Sequence, residues 1–249
     1  MAEQRKMDGK VVIVMGLGGG IGRDIAPLMA REGAKIVIND VGAALTGEGQ
    51  SVGPAQEVVD EIMSVGGEAT ANTGSVARIV QQAVDTFGRI DCVVNNVGIL
   101  RDRFFHKMSQ EEWDALLKVH LYGSYYVSRT AADQFKEQGD GAFVQMMSTS
   151  GLIGNLAHAN YSAARLGIAG LSKSIALDLK KFGVRSNCVA PFARSRINSI
   201  KVDMPEQVAR VEKIKQMTPA KIAEHAIPAL RSSFHSLDVS ADVFSRDLV

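Results

Sequence analysis

At 249 residues, with 46% hydrophobic and 22% charged residues, the chain has the length of one large α/β domain and enough apolar content for a sizeable core, which excludes a disordered or low-complexity protein. Its formal charge of +1 comes from scattered basic residues, which excludes the basic stripe that nucleic-acid binding requires. No apolar run approaches the ~20 residues of a membrane span, the polar first ten residues lack the apolar stretch of a signal peptide, and Cys92 and Cys188 read as buried thiols of a reducing compartment. A cytoplasmic protein with neither membrane nor nucleic-acid partner is expected.

In chain order, short β-branched runs alternate with longer amphipathic ones. Strands are expected over 10–15, 35–39, 68–71, 91–95, 141–147 and 184–190, and helices over 21–32, 54–65, 77–87, 109–137 and 160–182. Pro54 suits a first helical turn, where a missing N–H costs nothing, and Ser109 with Glu112 spells a capping box. The alternation implies right-handed βαβ units and hence a Rossmann-type α/β fold, a doubly wound parallel sheet in three layers. The whole chain, 1–249, is read as a single dinucleotide-binding domain. Beyond Gly183 no further glycine occurs; 203–234 reads mostly helical, and 236–249 is polar without a strand pattern, which leaves a seventh strand doubtful.

The first expected strand runs directly into Gly16, Gly18, Gly20, Ile21 and Gly22, and a helix follows. Glycine permits the tight turn there, removes Cβ atoms where a pyrophosphate must approach, and presents helix N-terminal N–H groups to it. Asp40 ends the second strand, 18 residues beyond Gly22, where the dinucleotide fold places the acid that reads the adenosine ribose hydroxyls and repels a 2′-phosphate. NAD is therefore expected over NADP. Tyr161 and Arg165 are four apart on the fifth helix and share a face, and Ser148 follows the fifth strand. A tyrosine acts as general acid or base when a fixed cation favours its phenolate, and a serine hydroxyl can bind the reacting oxygen. Taken alone, a tyrosine and arginine at this spacing are more often a structural pair.

With the glycine turn, Asn95, Asn96, Val97 and Gly98 after the fourth strand, and Ser148 thirteen residues before Tyr161, the chain resembles the short-chain dehydrogenase/reductase family over roughly residues 8–200. Within it, segments 39–42, 98–103, 118–121 and 154–165 are most similar to the (3R)-hydroxyacyl-CoA dehydrogenase part of peroxisomal multifunctional enzyme type 2 and to bacterial hydroxyacyl or steroid dehydrogenases. The resemblance implies an NAD-dependent oxidoreductase moving a hydride between nicotinamide and a secondary alcohol or ketone, either a 3-hydroxyacyl-CoA or a steroid-like substrate. It assigns Tyr161 as acid/base and Ser148 to the substrate oxygen, with Arg165 beside Tyr161 and Asn96 and Gly98 lining the nicotinamide side. Residues 191–249 would cover the substrate. No metal is implied, and a homo-oligomer, dimer or tetramer, is.

His120 stands where the family usually has an asparagine that organises a proton-relay water. Its other reading, of equal weight, is a helix histidine satisfied by a backbone carbonyl. Arg101, Asp102 and Arg103 either touch a CoA phosphate or, the favoured reading, form a solvated charged loop. Several residues depart from the family pattern: Arg165 replaces a lysine and cannot release a proton, Gly74 replaces an aspartate set against adenine, and Met15, Val97 and Phe192 replace other common residues near the cofactor. These departures motivate a second reading, a catalytically impaired NAD-binding or scaffold protein of the same fold.

Overall fold

The computed structural model describes residues 5–17, 20–40, 53–72, 74, 76–191, 226–228 and 237–239. Seven strands form one sheet in the order β3-β2-β1-β4-β5-β6-β7, every pair parallel. They are β1 (Val11–Met15), β2 (Lys35–Asn39), β3 (Ala69–Asn72), β4 (Cys92–Asn95), β5 (Gly141–Met146), β6 (Val184–Ala190) and β7 (Leu237–Val239). The helices are α1 (Ile21–Arg31), α2 (Gly53–Ser64), α3 (Val76–Phe87), α4 (Gln110–Leu117), α5 (Gly123–Gln138), α6 (Thr149–Ile153) and α7 (Ala159–Leu179). Among the described residues no helix is long and apolar enough to cross a membrane.

All five residues of β1 are buried because its sheet is covered on both faces. Side chains alternate along a strand, so Val12 and Val14 join the cluster holding Ile25 and Met29 of α1 and Val58 and Ile62 of α2. Val11, Ile13 and Met15 join the opposite cluster, with Ile79 and Ala83 of α3 and Val127, Ala131 and Phe135 of α5. The amphipathic faces of α1 and α3 thus cover opposite faces of one sheet, which makes the three layers.

Several elements differ from the sequence expectation. The seventh strand, left doubtful by the polar tail, exists: three residues pair with Cys188, Val189 and Ala190 through backbone bonds that need no apolar side-chain pattern. The helix expected over 109–137 is continuous from Gln110 to Gln138 but contains a π turn at Lys118–Tyr122 between α4 and α5. Buried side chains hold this turn: Ser124 Oγ donates to the His120 carbonyl at 2.7 Å, and Asn95 Nδ2, at the end of β4, donates to Ser124 Oγ at 2.7 Å. Short 3₁₀ turns at Phe105–Lys107 and Lys180–Phe182, and the five-residue α6, have no periodicity long enough to read. The capping box is present, with the Glu112 N–H donating to Ser109 Oγ at 3.1 Å and the Ser109 N–H to Glu112 Oε2 at 2.9 Å. Of the expected helical stretch 203–234, residues 226–228 are helical and the rest lies outside the described residues, as do Gly18 and Phe192.

Asp91 fastens the amino ends of β1 and β4. Its buried carboxylate accepts from the Val11 N–H at 2.9 Å, Lys10 Nζ at 3.0 Å and Arg89 Nη2 at 2.7 Å. Burial raises the pKa of this carboxyl, but the Val11, Lys10 and Arg89 donors together outweigh it and hold it below the usual value. A depressed folded pKa contributes stability that is present above the unfolded value and lost as pH falls through the folded one. Acid titration of the melting temperature should therefore show an Asp91-dependent loss below about pH 4. Asp91→Ala should remove that dependence and cost about 1–3 kcal/mol at neutral pH, chiefly from the stranded Val11 N–H.

Candidate active site

The strand order reverses at β1, with β2 on one side and β4 on the other, so the crevice at their carboxyl ends is the switch point where open α/β sheets hold ligands. Gly16 begins the turn above β1 at φ +78, a left-handed conformation that glycine adopts without strain. A Cβ on Gly16 would lie 2.7 Å from Val97 Cα, and one on Gly22 would fall on the Gly16 carbonyl oxygen. That carbonyl accepts from Asn96 Nδ2 at 2.7 Å, so Asn96 braces the turn from β4. Gly20 caps α1 without a side chain, leaving no side-chain oxygen in competition for the N–H groups of Ile21 and its neighbours. Asp40 folds back over the turn, its Oδ2 accepting the Leu17 N–H at 2.6 Å. A bare helix N-terminus, a Cβ-free approach and a carboxylate at the end of β2 fit the pyrophosphate and ribose of a dinucleotide.

Gly74, which stands where the resembling family has an adenine-facing aspartate, lies in a groove lined by Asn72, Arg78 and Gln82. Its N–H donates to Asn72 Oδ1 at 2.9 Å, and Arg78 Cδ lies 3.5 Å from where a Cβ would stand.

At the neighbouring end of β5, Ser148 caps α6, its Oγ accepting the Ser150 N–H at 3.2 Å. The helix α6 lies against α7, which carries Tyr161 and Arg165. Tyr161 is 6% exposed and packs with Ile99, Leu100 and Leu116. Four residues on, Arg165 turns its guanidinium beneath the ring: Cζ is 5.2 Å from the ring centroid, and Nη1 donates to the Met146 carbonyl at 2.5 Å. Arg165 is buried, makes no ion pair among the described residues, and has no partner on Nε. Gly98 makes room for it, since a Cβ there would lie 2.5 Å from Arg165 Nη2 and 2.9 Å from His120 Cε1.

His120 stands edge-on to Tyr161, with ring centroids 5.3 Å apart. Its Nε2 meets the Ile99 backbone, 2.9 Å from the carbonyl oxygen and 3.1 Å from the nitrogen, while Nδ1 is buried without a partner. Burial first, and then the charge of Arg165, push the imidazole well below its ordinary pKa, so His120 is neutral. Its Nε2 is satisfied by the Ile99 backbone, as the carbonyl-anchored reading expected, and its ring edge touches Tyr161.

The run at 101–103 is a charged loop, as the favoured reading expected, with Asp102 and Arg103 exposed but paired. Arg103 donates from Nε at 2.9 Å and Nη2 at 2.8 Å to Glu112 Oε1, and Asp102 Oδ2 lies 3.2 Å from His158 Nε2. His158 and Asn160 are buried beside this segment; both lie in the similar segment 154–165, but neither was assigned a role from sequence. Asn160 Nδ2 donates to the carbonyls of Arg101 and Glu112, at 3.1 and 3.2 Å, tying the start of α7 to the β4 end and to α4.

The short chain dehydrogenase family model matches residues 10–198, three quarters of the chain and the whole of this crevice. The chain belongs to the short chain dehydrogenase family. Its relatives include a short-chain type dehydrogenase/reductase of Mycobacterium tuberculosis, 46% identical over 86% of this chain and 74% of the relative. Peroxisomal multifunctional enzyme type 2 of Mus musculus is 44% identical over 88% of this chain, which spans 30% of that longer protein. A hydroxyacyl-CoA dehydrogenase of Mycobacterium tuberculosis is 38% identical over 78% of this chain and 64% of its own length. Among solved structures, a short chain dehydrogenase from Mycobacterium avium superposes with a TM-score of 0.75 at 39% identity, covering 89% of this chain and 77% of that one. Membership in the family assigns the chain to oxidoreduction.

Proposed function

We propose that the chain is an NAD-dependent dehydrogenase that oxidises the secondary alcohol of a 3-hydroxyacyl-CoA, or of a steroid-like molecule, or runs the reverse reduction. The observation that carries this reading is a tyrosine framed by a permanent cation, 5.2 Å from its ring, at the switch point of a dinucleotide fold. Tyr161 takes the hydroxyl proton, Ser148 donates to the reacting oxygen, and Arg165 sets its charge against the ring that becomes negative. The nicotinamide, when bound, supplies the hydride acceptor. Gly16, Gly20, Ile21 and Gly22 hold the pyrophosphate, and Asp40 binds the ribose hydroxyls and selects against a 2′-phosphate. Similarity to the hydroxyacyl-CoA dehydrogenase supports the substrate class. Self-association is part of the reading, supported by Tyr125 and Tyr126, which are exposed on α5.

Titration with NAD and NADP, followed on the same preparation by NADH formation with hydroxyacyl-CoAs and steroid alcohols, tests it. Tighter NAD binding and turnover of one class are expected. Equal affinity for NADP would remove Asp40 from its role.

A second reading, dinucleotide binding without turnover, is favoured by one observation: Arg165 is anchored to Met146 and, unlike lysine, releases no proton. Arg165→Lys decides between them. If the arginine is a working part, turnover should fall about tenfold or more, since an ammonium loses either the Met146 carbonyl or the ring and a charge-assisted bond contributes about 1.5–3 kcal/mol. A strong rise would identify the arginine as the lesion.

A further inference from the structure

We propose that His158, held by Asp102, is a positioning residue for Tyr161. The inference rests on the reading of Tyr161 as the acid/base. His158 is the second histidine against the tyrosine, its ring tilted 59° to the phenol with centroids 5.5 Å apart. Both of its nitrogens are engaged: Nε2 is 3.2 Å from Asp102 Oδ2, and Nδ1 is 3.2 Å from the Asn155 side-chain amide nitrogen. As a donor, that amide requires Nδ1 to accept, which places the ring proton on Nε2, facing Asp102. Contacts at both nitrogens restrain the imidazole that faces Tyr161.

The surrounding backbone is built around this contact. Ala157, immediately before His158, has φ +61 and is the one non-glycine residue with positive φ among the described residues. An L-residue resists that conformation unless its surroundings impose it. Here the Arg103 N–H donates to the Ala157 carbonyl at 3.0 Å, from the same segment that supplies Asp102. On the far side of His158, Asn160 Oδ1 accepts the Tyr161 N–H at 2.8 Å while its amide holds the Arg101 carbonyl. The 101–103 segment therefore grips the start of α7 at three successive points, two through backbone and one through His158. The His158 contact alone reaches the phenol ring. With Arg165 and His120, it is one of three charged or polar side chains whose ring contacts with Tyr161 are seen among the described residues.

The test uses the full chain, NAD and the hydroxyacyl-CoA that turns over, with fluorine NMR of 3-fluorotyrosine incorporated at position 161 as a readout independent of turnover. His158→Ala and Asp102→Ala should each lower kcat roughly ten- to hundredfold, the loss that accompanies small misplacement of a reacting group, with KM and NAD affinity little changed. The double variant should be no worse than the poorer single one, because both remove one device. His158→Gln, whose amide can still donate to Asp102, and Asp102→Asn, which still accepts from His158, should recover most of the activity. The single fluorine line should broaden or split in the alanine variants and stay single in the conservative ones. If alanine at 158 prevents folding, His158→Met, which fills the space without bonding Asp102, must show the same losses. Full kcat with an unaltered fluorine line in the alanine or methionine variants overturns the proposal. So does a kcat loss matched by equal losses in KM and NAD affinity. Activity surviving Tyr161→Phe overturns instead the reading beneath it.

Discussion

Tyr161→Phe is expected to lower turnover by about two to four orders of magnitude, the contribution of a positioned general acid or base. The substitution removes one oxygen and leaves the ring in place. The edge contact of His120 at 5.3 Å, the tilted contact of His158 at 5.5 Å and the guanidinium at 5.2 Å all involve the ring rather than the hydroxyl. Packing with Ile99, Leu100 and Leu116 is likewise retained. NAD affinity by calorimetry and the melting temperature should therefore match the parent chain while NADH formation disappears. A protein that kept its turnover would sink the assignment of Tyr161, and one that lost NAD binding as well would show that the hydroxyl is structural.

Gly22→Ala should have the opposite signature, with affinity lost before chemistry is reached. The added methyl would fall on the Gly16 carbonyl oxygen and stand 2.7 Å from Asn96 Nδ2. The first is backbone and cannot move aside alone, so the first turn of α1 must lift from the glycine turn and the 2.7 Å bond from Asn96 to Gly16 must stretch. Overpacking of this kind costs about 1–3 kcal/mol or more, which corresponds to a tenfold to hundredfold weaker NAD Kd if the bound state carries the cost. Calorimetry and a thermal melt measure the two parts. Gly170→Ala, in the middle of α7 with nothing within 4 Å of the added methyl, is the control. It should stabilise the chain by about 0.5–1 kcal/mol through helix propensity. An NAD affinity for Gly22→Ala equal to that of the control would mean that the turn is not where the cofactor sits.

The particular residues that were legible in sequence share a physical character. β2 and β6 were placed residue for residue, because a buried parallel strand is a short uninterrupted β-branched or apolar run. The capping box at Ser109 was legible because its partners are three residues apart. The π turn was not, since it is held by Ser124 and Asn95, and Asn95 sits 29 residues away on another element. β7 was hidden for a related reason: a three-residue strand at the edge is specified by the backbone groups of β6, not by its own pattern.

The sequence by itself determined the layered fold, the glycine turn with Asp40 beyond it, and the shared face of Tyr161 and Arg165, because each is a matter of periodicity or spacing within one βα unit or helix. Only the tertiary structure decided what those side chains do to one another. Arg165 spends a hydrogen bond on Met146, 19 residues away, and its charge lies under the tyrosine ring. The neutral state of His120 follows from burial and that charge, and its anchor, Ile99, is 21 residues away. Asp102 and His158 meet across the β4 end and the start of α7. Such contacts depend on where separate elements cross, and a local pattern carries no record of that.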